Sequence, residues 1–259
     1  MANPFENKLE LKEYLDQMAE RYEDRDFIKD DPIQIPHRFS REQDIEIAGF
    51  LTATIAWGNR KSIIKSASKM MDLMDRDPYN FIQDFKESDL KPLMSMPIHR
   101  TFNGEDFAFF LRSLKRLYEK ESTLSTYFRL TGEEKNFFHA LYRFRENFLG
   151  TEKSRSFKHV SNTYKNASAK RLMMYLRWMV RSEKKGVDFG IWQSLGSENL
   201  SVPLDVHTGN VSRKLGLIDR KQNDWKTVEA LDHVLRELDK KDPAKYDFAL
   251  FGLGVTGEI

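Results

Sequence analysis

Apolar residues recur every three to four positions over most of this chain. Leu9, Leu11, Tyr14, Leu15, Met18 and Tyr22 do so across 7–24 and predict an amphipathic helix. Asp31-Pro32 through Ile35-Pro36 interrupts the pattern. Ser40, with Gln43 three residues on, reads as a capping box opening the next helix. That helix, from Ile45 to Trp57, is apolar nearly all round and is expected to be buried and central. Gly58-Asn59-Arg60 ends it, and a second amphipathic helix follows over about 61–74.

Further helices are predicted over 79–85, 104–119, 122–130, 133–148, 170–180, 187–195, 203–215, 224–238 and 243–253. The stretch 91–100 is irregular, and 150–156 reads as a polar, basic loop or linker. No segment alternates at period two and no β-branched run occurs, so the expected fold class is all-α, a two-lobed multi-helix bundle. The chain reads as one all-α body over 1–259. It divides into a lobe of about 40–150 and a lobe of 1–39 plus 151–259, the second carrying the candidate site.

Composition narrows the functional classes. Of the 259 residues 40% are hydrophobic and 19 are Phe, which is ample for a core. The chain has no cysteine, which excludes disulfides, a thiol nucleophile and thiolate-held metal. The six histidines are scattered without metal-ligand spacing, and no Gly-rich nucleotide loop is present. No apolar run approaches the ~20 residues that span a bilayer, and the first residues lack a signal-peptide core, so a cytoplasmic protein is expected. Net charge is only +2. The cations are uneven, however. Between 152 and 185, Lys153, Arg155, Lys158, Lys165, Lys170, Arg171, Arg177, Arg181, Lys184 and Lys185 face only Glu152 and Glu183. Such a run is either a solvated face or a phosphate-facing patch.

Two segments carry candidate chemistry. One is Ser168-Ala169-Lys170-Arg171, a lysine at a helix start. The other is Pro203-Leu204-Asp205-Val206-His207, followed by Arg213-Lys214-Leu215-Gly216-Leu217. The second segment resembles the Val-Asp-Thr-His…Arg-Leu-Gly segment of the helix-hairpin-helix DNA glycosylase superfamily. The resemblance implies that Asp205 is the catalytic aspartate and Lys170 the nucleophile found in bifunctional members. The two are 35 positions apart, further than in most members, and that interval is similar to the archaeal 8-oxoguanine glycosylase branch.

Near its C-terminus that branch carries an Asp and a Trp at i, i+4 that hold the damaged base. Asp247 and Phe251 have the same spacing. The resemblance assigns Asp247 and Phe251 to the base and Asn59 and Arg60 to DNA; Met174 is placed with the base, and Lys165, Arg171 and Arg177 of the basic run are placed with His207 on DNA. The Gly-rich hairpin that precedes the lysine in this superfamily is replaced by the glycine-free Tyr164–Ala169, which puts its tight turn in question. The whole chain also resembles a bacterial family of unknown function that shares the Lys-Arg-Leu-x-Met and Tyr-Asp-Phe-Ala-Leu-Phe-Gly runs.

A glycosylase must flip its nucleotide out of the duplex and cleave at C1′. Through a lysine Schiff base this takes an amine and a carboxylate, with no metal and no cofactor. Simpler roles compete. Asp205 after Pro203 suits helix capping, His207 packing, and Phe251 the core. The functional expectation is therefore a glycosylase/AP lyase for an oxidised purine. The alternatives are a nucleic-acid or nucleobase-binding protein without chemistry, or an all-α interaction protein.

Overall fold

In the computed structural model, residues 5, 7–151, 154–181 and 185–259 are described. Among them are twelve α-helices. The first seven are α1 (Lys8–Tyr22), α2 (Arg25–Asp30), α3 (Glu42–Thr54), α4 (Arg60–Asp72), α5 (Pro78–Asp84), α6 (Glu87–Leu90) and α7 (Gly104–Tyr118). They are followed by α8 (Phe138–Leu149), α9 (Lys170–Val180), α10 (Val206–Lys214), α11 (Trp225–Leu238) and α12 (Tyr246–Thr256). Short 3₁₀ turns join several of them. No helix is long and apolar enough to cross a membrane.

The chain forms two compact units. The first comprises Met1–Phe27, Leu130–His139 and Asn162–Ile259, and the second Ile28–Arg129 and Ala140–Ser161. Residues 28–39 and 151–161 thus belong with the second unit and 130–139 with the first.

The second unit is built on α3, which is buried on nearly every side. Phe50 lies 5.4 Å from Phe144, 5.1 Å from Phe148 and 5.7 Å from Phe110, ring centre to ring centre. Such aromatic clusters bury large areas in mutually restricted geometries. The buried Glu46 carboxylate is satisfied within this core. It accepts from the Tyr118 hydroxyl at 2.6 Å, the Leu124 N–H at 3.0 Å and the Thr123 hydroxyl. The N-cap of α3 is Arg41 rather than Ser40, without a side-chain cap bond; Glu42 and Asp44 in the first turn complement the helix dipole instead.

One element has no period-two signal in the sequence. Pro97–His99 pairs antiparallel with Phe102–Asn103 as a two-stranded hairpin. It is held by His99, whose ring nitrogens lie 3.1 Å from Ser66 Oγ and 3.0 Å from the Trp57 carbonyl. Its strands are too short to show alternation.

In the first unit α1 packs along α12. Gly252 permits the approach, because a Cβ there would stand 2.3 Å from Tyr22 Cγ. Leu11, Leu15 and Met18 fill the contact side of α1, and Tyr246 donates its hydroxyl to Asp16 at 2.9 Å.

Two predicted helices take other forms. The expected helix over 122–130 is a 3₁₀ turn, Leu124–Phe128, capped by Thr123. The expected helix over 187–195 is absent. Gly186 and Gly190 adopt φ of 73° and 59°, which breaks the helical run. Phe189 N–H donates to the Trp178 carbonyl at 2.8 Å and Trp192 N–H to that of Met179 at 2.9 Å. The segment therefore satisfies carbonyls at the C-terminal end of α9, which a helix leaves without internal partners.

The extended segment before α10 is fixed by Asp232 on α11. Ser201 donates to its carboxylate, and Arg236 bridges it at 3.4 Å to the Leu200 carbonyl at 2.8 Å. Burial pushes the Asp232 carboxyl up to about 6, although Arg236 and Ser201 pull it down. The folded state thus holds this proton more tightly than the unfolded chain. Stability from this group is full below about pH 4, falls as pH rises to about 6, and is level above. Moving a carboxyl from 3.8 to about 6 costs the folded state about 3 kcal/mol at neutral pH. Asp232→Asn is expected to stabilise the protein by on the order of 1–3 kcal/mol at pH 7, with the gain vanishing near pH 4. Urea unfolding of both proteins across that range checks it.

Candidate active site

The loop before α9 makes its turn without glycine. Asn162 caps a 3₁₀ turn over Thr163–Lys165, accepting from the Lys165 N–H at 3.2 Å. Asn166 and Ala169 then take left-handed conformations, at φ 61° and 51°. Asparagine tolerates this region; a buried alanine does so at a cost of about 1 kcal/mol. The turn is held in place from outside. The Trp225 N–H donates to the Asn166 carbonyl at 3.1 Å, and Asn166 Nδ2 donates to Asp224 Oδ2 at 3.0 Å. The N-terminus of α11 thereby fixes where α9 begins, with Lys170 as its first residue.

Asp205 is the N-cap of α10. Its Oδ1 accepts from the Thr208 N–H at 2.9 Å, which leaves Oδ2 directed elsewhere. That oxygen lies 3.7 Å from Lys170 Nζ. The side chains are 28% and 17% exposed, so the pair is sheltered but open to solvent. Sequence reasoning missed what holds the aspartate. Asn223 Nδ2 donates to the Asp205 carbonyl at 2.9 Å, and Arg213 Nη2 donates to Asn223 Oδ1 at 2.6 Å. Gly209 leaves room for both, since a Cβ there would lie 2.7 Å from Asn223 Oδ1. Asparagine in a polar loop gives no pattern that would single it out.

Asp247 is a neighbour of this pair. Burial pushes its carboxyl up to about 6; the Arg177 guanidinium pulls it down, the Asp205 charge raises it, and Lys170 lowers it. Asp247 is ion-paired with Arg177, whose Nε also donates to Asp188 at 3.3 Å. Arg181, one turn on, binds Glu23, Asp188 at 3.3 Å and Asp242 at 2.9 Å. Phe248 packs under both guanidinium groups, 4.4 Å and 5.4 Å from their Cζ atoms. Arg177 is therefore buried among carboxylates and not at a surface where a phosphate would meet it. Two arginines at i, i+4 bracketing the apolar run Trp178-Met179-Val180 were the available signal for such an internal network.

The other sequence-assigned residues are distributed as follows. Phe251 is half-buried, edge-on to Phe27 at 6.4 Å and to His207 at 6.0 Å. His207 is exposed on the first turn of α10, its Nδ1 3.2 Å from the Gly254 carbonyl. Met174 is half-buried on α9, one turn after Lys170, and Lys165 is exposed. Arg171 is half-buried, and burial pushes its guanidinium down to about 10. Asn59 and Arg60 belong to the second unit, where Asn59 caps α4 by accepting from the Ser62 N–H at 3.2 Å.

The basic run of 152–185 is not one patch. Lys153 and Lys184, with Glu152 and Glu183, lie outside the described residues, Arg177 and Arg181 are internal, and Lys185 pairs with Glu20 at 2.8 Å. A cavity of about 340 Å³ opens beside α10, lined by His207, Asn210, Val211, Lys214 and Gly254; it adjoins His207 rather than the Lys170–Asp205 pair.

Fold and site together define a mostly helical protein in which a lysine and an aspartate, each opening a helix, meet beside a buried third carboxyl. The chain belongs to a family described as a protein of unknown function (DUF2400), which matches residues 31–256. No curated protein and no solved structure matches it.

Proposed function

We propose that this protein is a DNA repair glycosylase with AP-lyase activity, of the helix-hairpin-helix type. Its substrate is an oxidised purine resembling 8-oxoguanine, and Lys170 is the nucleophile. The observation that carries the reading is the 3.7 Å approach of Lys170 Nζ to Asp205 Oδ2, with Oδ1 occupied by its helix cap. The ammonium gives one proton to Asp205, freeing its lone pair. Nζ then bonds to C1′ as the C1′–N bond of the base breaks. The base leaves with the bonding pair and takes up the proton from Asp205. Once its first proton has passed to the base, the ionised Asp205 offsets the positive charge on the sugar. Asp205 then carries a second proton from the nitrogen to O4′ as the C1′–O4′ bond breaks, which opens the sugar ring and leaves a protonated Schiff base.

Asp247 and Phe251, one turn apart on α12, are assigned to the flipped base together with Met174. Arg177 is assigned to orienting Asp247 rather than to phosphate. Lys165, Arg171 and His207 in the first unit, and Asn59 and Arg60 in the second, are assigned to DNA. Borohydride reduction in the presence of duplex DNA containing 8-oxoguanine is expected to yield a covalent adduct at Lys170, located by peptide mapping. Binding of that DNA with neither base release nor adduct would rule the enzyme out.

A second reading, nucleic-acid or nucleobase binding without chemistry, draws on the burial of Asp247 and its ion pair with Arg177. It expects salt-dependent affinity and no base release under any condition.

A further inference from the structure

The second unit carries a cationic surface apart from this chemistry. On α4, Lys61, Lys65 and Lys69 recur at i, i+4 and i+8, a row opposite the buried Ile63, Ala67 and Met70. The row is about 12 Å long. Arg38 adjoins it, donating to Ser68 Oγ at 2.9 Å and to Gln34 Oε1 at 3.3 Å. Lys69 donates to the Pro97 carbonyl at 2.7 Å, which attaches the β-hairpin to the same face. At the hairpin tip Arg100 lays its guanidinium on Gly58, where a Cβ would stand 2.8 Å from Arg100 Cζ. Among the described residues no carboxylate pairs with Arg38, Lys61, Lys65, Lys69 or Arg100.

Two features of this surface are unfavourable for the protein alone. The first turn of α4 holds Arg60 and Lys61 and no acidic residue, against the helix dipole. Arg100 sits at φ 50°, a left-handed conformation in which an arginine is strained and glycine is not. A face serving only solubility interleaves charges of both signs. Unpaired cations at helical spacing, with a strained arginine beside them, instead suit an extended polyanion.

We propose that this face binds the phosphate backbone of duplex DNA without reading its sequence. About 12 Å of duplex axis carries three to four phosphates per strand at ~3.4 Å each, which three lysines one turn apart can follow. Lysines act there as point charges that position the duplex and leave base edges unread. The inference takes its partner from the reading above but not its chemistry.

The test is binding of the full-length protein to an undamaged duplex at salt concentrations from about 50 to 200 mM. The double variant Lys61→Gln/Lys65→Gln is expected to lower the slope of log affinity against log salt by about 2. Arg100→Gly is expected to lower it by about 1 while its thermal midpoint holds or rises, because glycine relieves the left-handed backbone. Slopes equal to wild type would overturn the inference. So would variants that bind DNA normally but lose affinity for phosphatidylserine vesicles, which would make this a lipid-facing surface. If wild type fails to trap with borohydride while the slopes fall as stated, the surface stands and only the enzymatic reading is lost.

Discussion

Lys170→Ala is expected to abolish borohydride trapping, and Asp205→Asn to slow base release by about 10²–10³-fold, both with the fold intact. Alanine is at least as good a helix former as lysine at the start of α9, so loss of the adduct would report chemistry rather than unfolding. The asparagine variant separates the two roles of Asp205. Asparagine caps helices as well as aspartate does, so the bond from the Thr208 N–H is retained and the urea midpoint stays put. What it removes is the charge 3.7 Å from the amine. Asp205→Ala should lose about 1 kcal/mol of stability in addition, from the missing cap. Single-turnover base release and urea unfolding, measured on all three, check the set. Full activity in the asparagine variant would reduce Asp205 to a cap, and an adduct persisting in Lys170→Ala would move the nucleophile to another lysine.

The second large effect is structural. Arg181→Met is expected to destabilise the protein by about 3–5 kcal/mol at neutral pH, because it strands buried carboxylates that one guanidinium neutralises. Burial has already pushed the Asp188 carboxyl up to about 6 with both Arg177 and Arg181 beside it. Its proton is therefore held more tightly in the folded state, and stability from this group declines as pH rises from about 4 to about 6. With Arg181 gone the decline extends to higher pH. The variant's deficit should be greatest near pH 7.5 and smaller near pH 5, where Asp188 is protonated. Thermal melts at the two values decide it, and equal deficits would mean that lost packing on Phe248, not stranded charge, is the cause. Arg181→Lys should recover part of the loss, as it restores charge but not the fork that reaches three carboxylates.

The longest helices were the most legible because they are strongly periodic. α1, α7 and α11 have apolar faces of several turns, and their limits fall close to those the periodicity predicts. Asp205 was legible as a cap because Pro203 and the following run make a helix start there. What stayed hidden depends on partners far along the chain. Residues 187–195 carry enough apolar side chains to suggest a helix, but their amides go to α9 carbonyls and Asp188 turns inward to two arginines. Those arginines looked like part of a basic face because sequence shows their charge and not the carboxylates they meet. Glycine is the usual sign of a tight turn such as the one before Lys170, yet Asn166 and Ala169 adopt the left-handed backbone there under restraint from Asp224 and Trp225. Asn223 acts through a backbone carbonyl, which no side-chain pattern reveals.

The close contact of Tyr22 with Gly252 has a consequence for how the molecule comes to exist. The two residues are separated by most of the chain, so α1 cannot bury Leu11, Leu15 and Met18 against α12 until α12 has been synthesised. Most of the second unit emerges from the ribosome earlier and draws its contacts from within residues 28–161. Ring closure over so long a loop is slow, and contacts local in sequence form first. A nascent chain therefore passes through a stage in which the cationic face of α4 is complete while Asp247 is not yet beside Lys170. During that interval α1 exposes an apolar stripe, a natural target for a chaperone.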